Sequence, residues 1–174
     1  KGHGWVGISY QIEPDEDYNE IILHIRFKET DVRLQQETLG ILGVNLIYGA
    51  FYKYNDPKRL LRYLYDHLDK DQLEIDTINF SGPRFADVDN RLMSLQLVKN
   101  GMTDAVMFNP DGKNILPAAI LYKKNILAFR GSFRPVTKVN MDMYEKSLKM
   151  FLKENKVEKE NTLVIFEITL SNLR

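Results

Sequence analysis

LGILGVNLIYGAFY, residues 39–52, is the longest apolar run in the chain, and one asparagine interrupts it. Asp31 stands ahead of it as an N-cap, so the pattern predicts a helix from Asp31 to about Tyr52. Beyond Leu39 the helix is apolar nearly all round, which is typical of a helix buried in a core. The run holds three glycines, Gly40, Gly43 and Gly49. Because glycine costs a helix roughly 1 kcal/mol relative to alanine, we expect another element to approach closely there, or the helix to break at the first two.

Strand-like segments lie on both sides of this helix. Residues 6–12 and 20–28 are separated by turn residues and predict an opening hairpin. Residues 73–80 predict another strand, after which Asp87 can cap a helix that leads to a strand at 104–108. A strand, a helix and a strand in this order predict a parallel pair with a right-handed crossover.

The remaining segments complete a mixed pattern of helices and strands. In chain order they are a helix from Asp56-Pro57, a hairpin of residues 118–122 and 126–130, a helix from Asn140 to about Lys153, and a strand at 162–170. The sequence therefore predicts an α/β or α+β fold, with a mixed sheet of about seven strands and about four helices packed on it.

Composition narrows the classes of function and the compartment. The 174 residues suit a single domain over the whole chain, and the lack of cysteine excludes disulfides and zinc–thiolate sites. Basic and acidic residues number 24 each, so no excess of charge favours a nucleic-acid or membrane partner. The apolar run is too short to span a bilayer. With neither a methionine start nor a signal-peptide pattern, we expect a cytoplasmic fragment of a longer protein.

Two loops carry the strongest candidate binding chemistry, because each combines glycine, a hydroxyl and arginine after a predicted strand. Their residues are Ser81, Gly82 and Arg84 in the first loop, and Arg130, Gly131, Ser132, Arg134 and Thr137 in the second. Backbone N–H groups beside glycine, hydroxyls and guanidinium groups all bind phosphate or carboxylate. At one sheet edge the two loops would form an anion pocket. In the alternative interpretation, glycine and proline only turn the chain, and the arginines pair with surface carboxylates.

Candidate metal ligands and nucleophiles are sparse. Asp87 and Asp89 have a spacing that can share a divalent cation, but the start of a helix uses such residues as caps. The histidines His3, His24 and His67 form no closely spaced pair, so we predict no metal site, and we interpret His24 as a hydrogen-bonded strand residue. No serine elbow and no thiol offers a nucleophile, so whether the chain is an enzyme stays open.

Aromatic residues gather at the end of the long predicted helix. They are Tyr48, Phe51, Tyr52 and Tyr54. Such rings can stack on a base or another flat ligand. At helical spacing they also suit the core and its tyrosine-rich rim.

Five stretches together resemble the C-terminal half of a family of long bacterial proteins. They are GHGWVGI (2–8), NEIILH (19–24), the apolar run at 39–52, DNRLMSL (89–95) and RGSFRPVT (130–137). The family carries two labels, TonB-dependent receptor and nicotinate-nucleotide adenylyltransferase. The first implies an outer-membrane barrel and a signal peptide, and the second implies an HxGH nucleotide site; this segment shows none of these. The resemblance therefore implies no catalytic residue here.

Three functions follow from these observations. The first is an accessory domain that binds a small anionic ligand or packs on the N-terminal part of its own protein. The second is a nucleotidyl- or phosphoryl-handling enzyme, with the loop arginines as an anion clamp and Asp87 and Asp89 as metal ligands. The third is a homodimer formed through the strand edge at 162–170. The sequence leaves any cofactor unknown.

Overall fold

The long helix predicted from the apolar run is unbroken in the computed structural model, which describes residues 2–173. This helix, α1, spans Val32–Tyr52. The Asp31 carboxylate accepts from the backbone N–H of Arg33 at 2.8 Å and of Leu34 at 3.2 Å, which confirms the predicted cap. Gly40 and Gly43 interrupt nothing, because the helix continues through both.

The opening hairpin is also confirmed, and it belongs to a three-stranded antiparallel sheet. Its strands are β1 (His3–Tyr10), β2 (Asn19–Phe27) and β3 (Leu73–Ser81), in that order across the sheet. The apolar face of the sheet packs in one hydrophobic core with α1, for example Leu23 of β2 with Leu42 of α1. The exposed residues of β1, which are His3, Trp5, Gly7 and Ser9, lie on the opposite face.

Two shorter helices complete this core. The helix α2 (Pro57–Tyr63) begins where Asp56-Pro57 predicted it. The helix α3 (Asn90–Lys99) follows a 3₁₀ turn at Pro83–Phe85. The N-cap of α3 is Asp89 and not Asp87, because the Asp89 carboxylate accepts from the backbone N–H of Arg91 at 2.9 Å.

The predicted parallel unit after β3 is wrong. Residues 104–108 contribute only β4 (Met107–Phe108), which pairs antiparallel with β5 (Asn114–Ile115). The turn between them decides this pairing, since Asn109 Oδ1 accepts from the N–H of Lys113 at 2.7 Å and folds the chain straight back. The sheet therefore gains no fourth long strand from this segment.

The predicted hairpin of residues 118–130 is wrong as well. Pro117 instead begins the short helix α4 (Pro117–Leu121), and proline suits the first position of a helix. The strand β6 (Asn125–Arg130) pairs in parallel with β7 (Thr162–Glu167). The helix α5 (Lys138–Phe151) connects them, and its N-cap is Thr137 rather than Asn140.

Within residues 2–173, seven strands form three small sheets, and four of the five α-helices have seven or more residues, which confirms the predicted mixed fold class. The chain divides into two compact units, Lys1–Leu116 and Pro117–Arg174, called here the first and the second unit. Within residues 2–173, no helix combines the length and the apolar character needed to cross a membrane.

Candidate functional site

Arg84, in the first predicted loop, is engaged by carboxylates of its own unit. Its Nε donates to Glu16 Oε1 at 2.7 Å, and its Nη2 donates to Glu13 Oε1 at 3.2 Å. The hydrogen bond from Arg84 lowers the pKa of Glu16, and the same bond raises the pKa of Arg84. An anion at this loop would therefore compete with two carboxylates for the guanidinium group.

The other members of this loop have structural partners too. The Ser81 hydroxyl donates to Glu20 Oε2 at 3.3 Å. Gly82 has φ +103°, in the region that favours glycine, and it lies tightly against the start of β2. The backbone N–H of Arg84 donates to Asn19 Oδ1 at 2.8 Å. These contacts match the alternative interpretation, in which the loop is a turn and its arginine pairs with surface carboxylates.

The second predicted loop is only partly engaged. Arg130 Nη2 donates to both carboxylate oxygens of Glu167, at 2.8 and 3.1 Å. The Thr137 hydroxyl caps α5, and the ring of Phe133 covers Gly131. Ser132 and Arg134 are exposed, and across the described part of the chain neither forms a side-chain hydrogen bond or ion pair. The two loops belong to different units, so a pocket that joins them stays a prediction.

Asp89, one of the two proposed acidic metal ligands, has another role. Asp89 caps α3, and its carboxylate accepts from Arg91 Nη2 at 2.7 Å. These hydrogen bonds lower the pKa of Asp89 to about 2. Among residues 2–173, no three or more His, Asp or Glu side chains converge in a group that could hold a metal ion.

A basic surface cleft lies where α1 ends and α2 begins. It has a volume of about 540 Å³ and is lined by Lys53, Arg59, Arg62, Tyr63, Tyr65 and Asp66; we call it the basic cleft. The lining cations come from two elements, since Lys53 is the C-cap of α1 and the arginines belong to α2. Asp56 and Pro57 fix the start of α2, which places Arg59 and Arg62 one turn apart on the same side of the helix.

Three cations face this cleft against one carboxylate, that of Asp66. Within residues 2–173, none of the three cations lies within ion-pair distance of a carboxylate. The arginines are exposed, so their guanidinium groups can turn towards a ligand. The cleft therefore differs from the two loops, where Arg84 and Arg130 are held by glutamates.

Tyrosine rings form the apolar part of the same region. Lys53 Nζ lies 4.6 Å from the ring centre of Tyr63 and 5.2 Å from that of Tyr48. Tyr48 stacks on Tyr52 with ring centres 4.7 Å apart. Loss of solvent contact raises the pKa of Tyr63, and the nearby carboxylate of Asp66 raises it further.

None of the residues that line this cleft is among the candidates that the sequence suggests. Of the stacking candidates, Tyr48 contacts the lining residue Tyr63 with ring centres 5.0 Å apart, and Tyr52 stacks on Tyr48. The cations were missed, although Arg59 and Arg62 have the one-turn spacing of a common helix face. The apolar stripe of α2, which includes Leu60 and is buried, could have shown that these arginines face outwards.

No protein-family model, no curated protein and no solved structure matches this chain. The resemblance to the long bacterial family therefore stays a prediction.

Proposed function

We propose that this chain is a ligand-binding domain whose basic cleft takes a small anionic molecule that carries a flat ring. The observation that supports this most is the set of three cations without carboxylate partners, Lys53, Arg59 and Arg62, beside stacked tyrosines. The cleft volume of about 540 Å³ lies within the range of roughly 300–1,000 Å³ that holds small molecules.

The residue types define the ligand chemistry. An arginine donates two parallel hydrogen bonds to a phosphate or carboxylate, and a second arginine one turn away can bind the remaining oxygens. Lys53 adds a point charge while it rests on Tyr63. A tyrosine face binds an aromatic or other flat ring through area and weak polar attraction. A nucleoside monophosphate has both parts and is a suitable probe.

Removal of the two arginines tests this proposal. We expect the double variant Arg59→Gln, Arg62→Gln to raise the Kd for adenosine monophosphate at least 10-fold, because charge-assisted hydrogen bonds of about 1.5–3 kcal/mol each are lost. Isothermal titration calorimetry measures this Kd. Inorganic phosphate should bind more weakly than the nucleotide, since it cannot use the tyrosines.

Two control variants locate the site. Arg33→Gln removes an exposed arginine from α1 and should leave the Kd unchanged. Arg134→Gln tests the second predicted loop and should also leave it unchanged. A Kd that rises with Arg134→Gln but not with the double variant would assign the anion to that loop. Equal affinity in wild type and double variant would contradict the proposed cleft.

A second candidate function is homodimerisation through the outer face of α1. This face is apolar and exposed: it carries Val44, Ile47 and Phe51, which are 66%, 54% and 42% exposed. The buried side of the same helix is apolar as well. Added Cβ atoms at Gly40 and Gly43 would meet nothing within 4 Å, so the close approach predicted there is not made by this chain. Gly49 does meet another element, with Leu60 Cγ 3.2 Å from an added Cβ.

A second copy of the chain is the occupant that suits this face. The face has no charged residue between positions 39 and 52, so two antiparallel copies would meet without repulsion between like charges, and the glycines would let the backbones approach. A stable dimer buries roughly 800 Å² per partner. A single helix face of this length offers less, so we expect a dimer with a Kd in the micromolar range.

Sedimentation velocity over a range of concentrations tests the dimer. The wild-type chain should shift from monomer to dimer as its concentration rises, and Ile47→Glu should stay monomeric because it would bury an unpaired charge. Val32→Glu, also exposed on α1 but outside the apolar run, is the matched control and should dimerise normally. A wild-type chain that is monomeric at every concentration, or an Ile47→Glu variant that still dimerises, would exclude this interface.

A further inference from the structure

Three side chains of the first unit form a chain of contacts across the sheet. His24 Nδ1 lies 2.8 Å from Asp76 Oδ1, and His24 Nε2 lies 3.3 Å from His3 Nδ1. His24 and Asp76 are 3% and 6% exposed, whereas His3 is exposed. The histidines are 21 residues apart in sequence, and only the pairing of β1 with β2 brings them together.

The register of the sheet explains how Asp76 reaches His24. His24 pairs with Thr77 and the next residue of β2, Ile25, pairs with Ile75. This irregularity leaves Asp76 as an extra residue without a cross-strand partner, as in a β-bulge, and a bulge redirects a side chain. The ring of Trp5, which is opposite His24 in β1, lies edge-on with its centre 4.9 Å from that of His24.

The Asp76 carboxylate determines which nitrogen of His24 is free. A carboxylate only accepts hydrogen bonds, so His24 Nδ1 carries the proton and donates to Asp76. The lone pair of a neutral His24 is therefore on Nε2, which is directed at His3. Histidines that bind metals commonly hold the other ring nitrogen in such a bond to a carboxylate.

We propose that His3 Nδ1 and His24 Nε2 are the two protein ligands of a transition-metal site for Zn²⁺ or a similar ion, with Asp76 as the positioning residue. Two nitrogens bound at 2.0–2.1 Å to one tetrahedral zinc ion are about 3.3 Å apart, which is the separation in this structure. The proposal differs from the sequence-based prediction of no metal site, which considered spacing along the chain only.

The surroundings define what kind of site this is. Among residues 2–173, no third His, Asp or Glu completes a metal-binding group, so water or a ligand would fill the other positions. Arg26 is opposite His3 in the register, and Glu74 is opposite Arg26. The positive charge of Arg26 disfavours a cation nearby, so we expect affinity in the micromolar range rather than that of a closed four-ligand site.

Titration of the chain without a histidine tag with Zn²⁺ tests the proposal. Calorimetry should show one Zn²⁺ per chain, and NMR should show the largest shifts in the His3 and His24 rings. His3→Gln removes an exposed ligand, and we expect it to weaken Zn²⁺ binding at least 10-fold. Asp76→Asn should weaken it about 10- to 100-fold, as loss of such a carboxylate partner does in known metal sites.

The third histidine provides the matched control. His67 is exposed and has φ +56°, a conformation that asparagine tolerates, so His67→Asn should bind Zn²⁺ like the wild type. Equal Zn²⁺ affinity in His3→Gln and wild type would overturn the proposal. So would the absence of Zn²⁺-dependent shifts in the two rings.

Discussion

Replacement of Gly82 by alanine is expected to lower the free energy of unfolding by about 3 kcal/mol or more. Gly82 has φ +103° and ψ 173°, a region that residues with a Cβ essentially do not adopt. An added Cβ would lie 2.5 Å from the carbonyl oxygen of Tyr18 and 2.6 Å from Asn19 Cα. Both are backbone atoms, so relief would require the start of β2 to move.

Urea-induced unfolding measures the effect, and Gly40→Ala is the matched control. Gly40 is helical, exposed and has open space where a Cβ would stand, so alanine there should raise the free energy of unfolding by up to about 1 kcal/mol. A Gly82→Ala variant within 1 kcal/mol of the wild type would be inconsistent with this geometry. The loop containing Gly82 would then be more adaptable than the structure indicates.

Replacement of Leu60 by alanine is expected to lower the free energy of unfolding by about 2–5 kcal/mol. Leu60 is completely buried, and its Cγ would lie 3.2 Å from a Cβ added at Gly49. Leu60 packs α2 against α1, and α2 carries the arginines of the basic cleft. We therefore expect the affinity of the cleft for adenosine monophosphate to fall as well.

Two further variants show whether this contact is responsible. Lys58→Ala, on the exposed side of α2, should change the free energy of unfolding by no more than about 0.5 kcal/mol. The double variant Gly49→Ala, Leu60→Ala should be more stable than the sum of the single changes predicts, because the new methyl group fills part of the cavity. If the changes in the free energy of unfolding of the two single variants simply add up in the double variant, Leu60 does not pack on Gly49.

Local signals allowed much of the first unit to be predicted. Asp31 and the apolar run determine the start and end of α1, and Asp56-Pro57 determines the start of α2, because caps and helix starts depend on residues close in sequence. The pairing of β6 could not be found in this way. The partner of β6 is β7, with Leu163 opposite Ile126, and the helix α5 separates the two strands in sequence. Alternation of residues within a strand does not identify the neighbouring strand.

The candidate site shows the same limit. Glycine, hydroxyl and arginine predict anion chemistry for the first loop, but they could not show that Glu16, 68 residues from Arg84, places a carboxylate against that arginine. Likewise, Lys53 and Arg62 form one cleft only because the connection between α1 and α2 turns back on itself. The contact of His3 with His24 depends on strand register, which spacing along the chain does not reveal.

The second unit contains a parallel strand pair but almost no interior. Among its described residues, Phe129 is the one buried hydrophobic side chain, whereas the hydrophobic core belongs to the first unit. Segments with few buried apolar contacts open locally at a lower free energy than the whole molecule. Substitutions beyond Pro117 should therefore affect mainly this local opening, and this part of the chain can tolerate more sequence change than the helices and strands around Leu60.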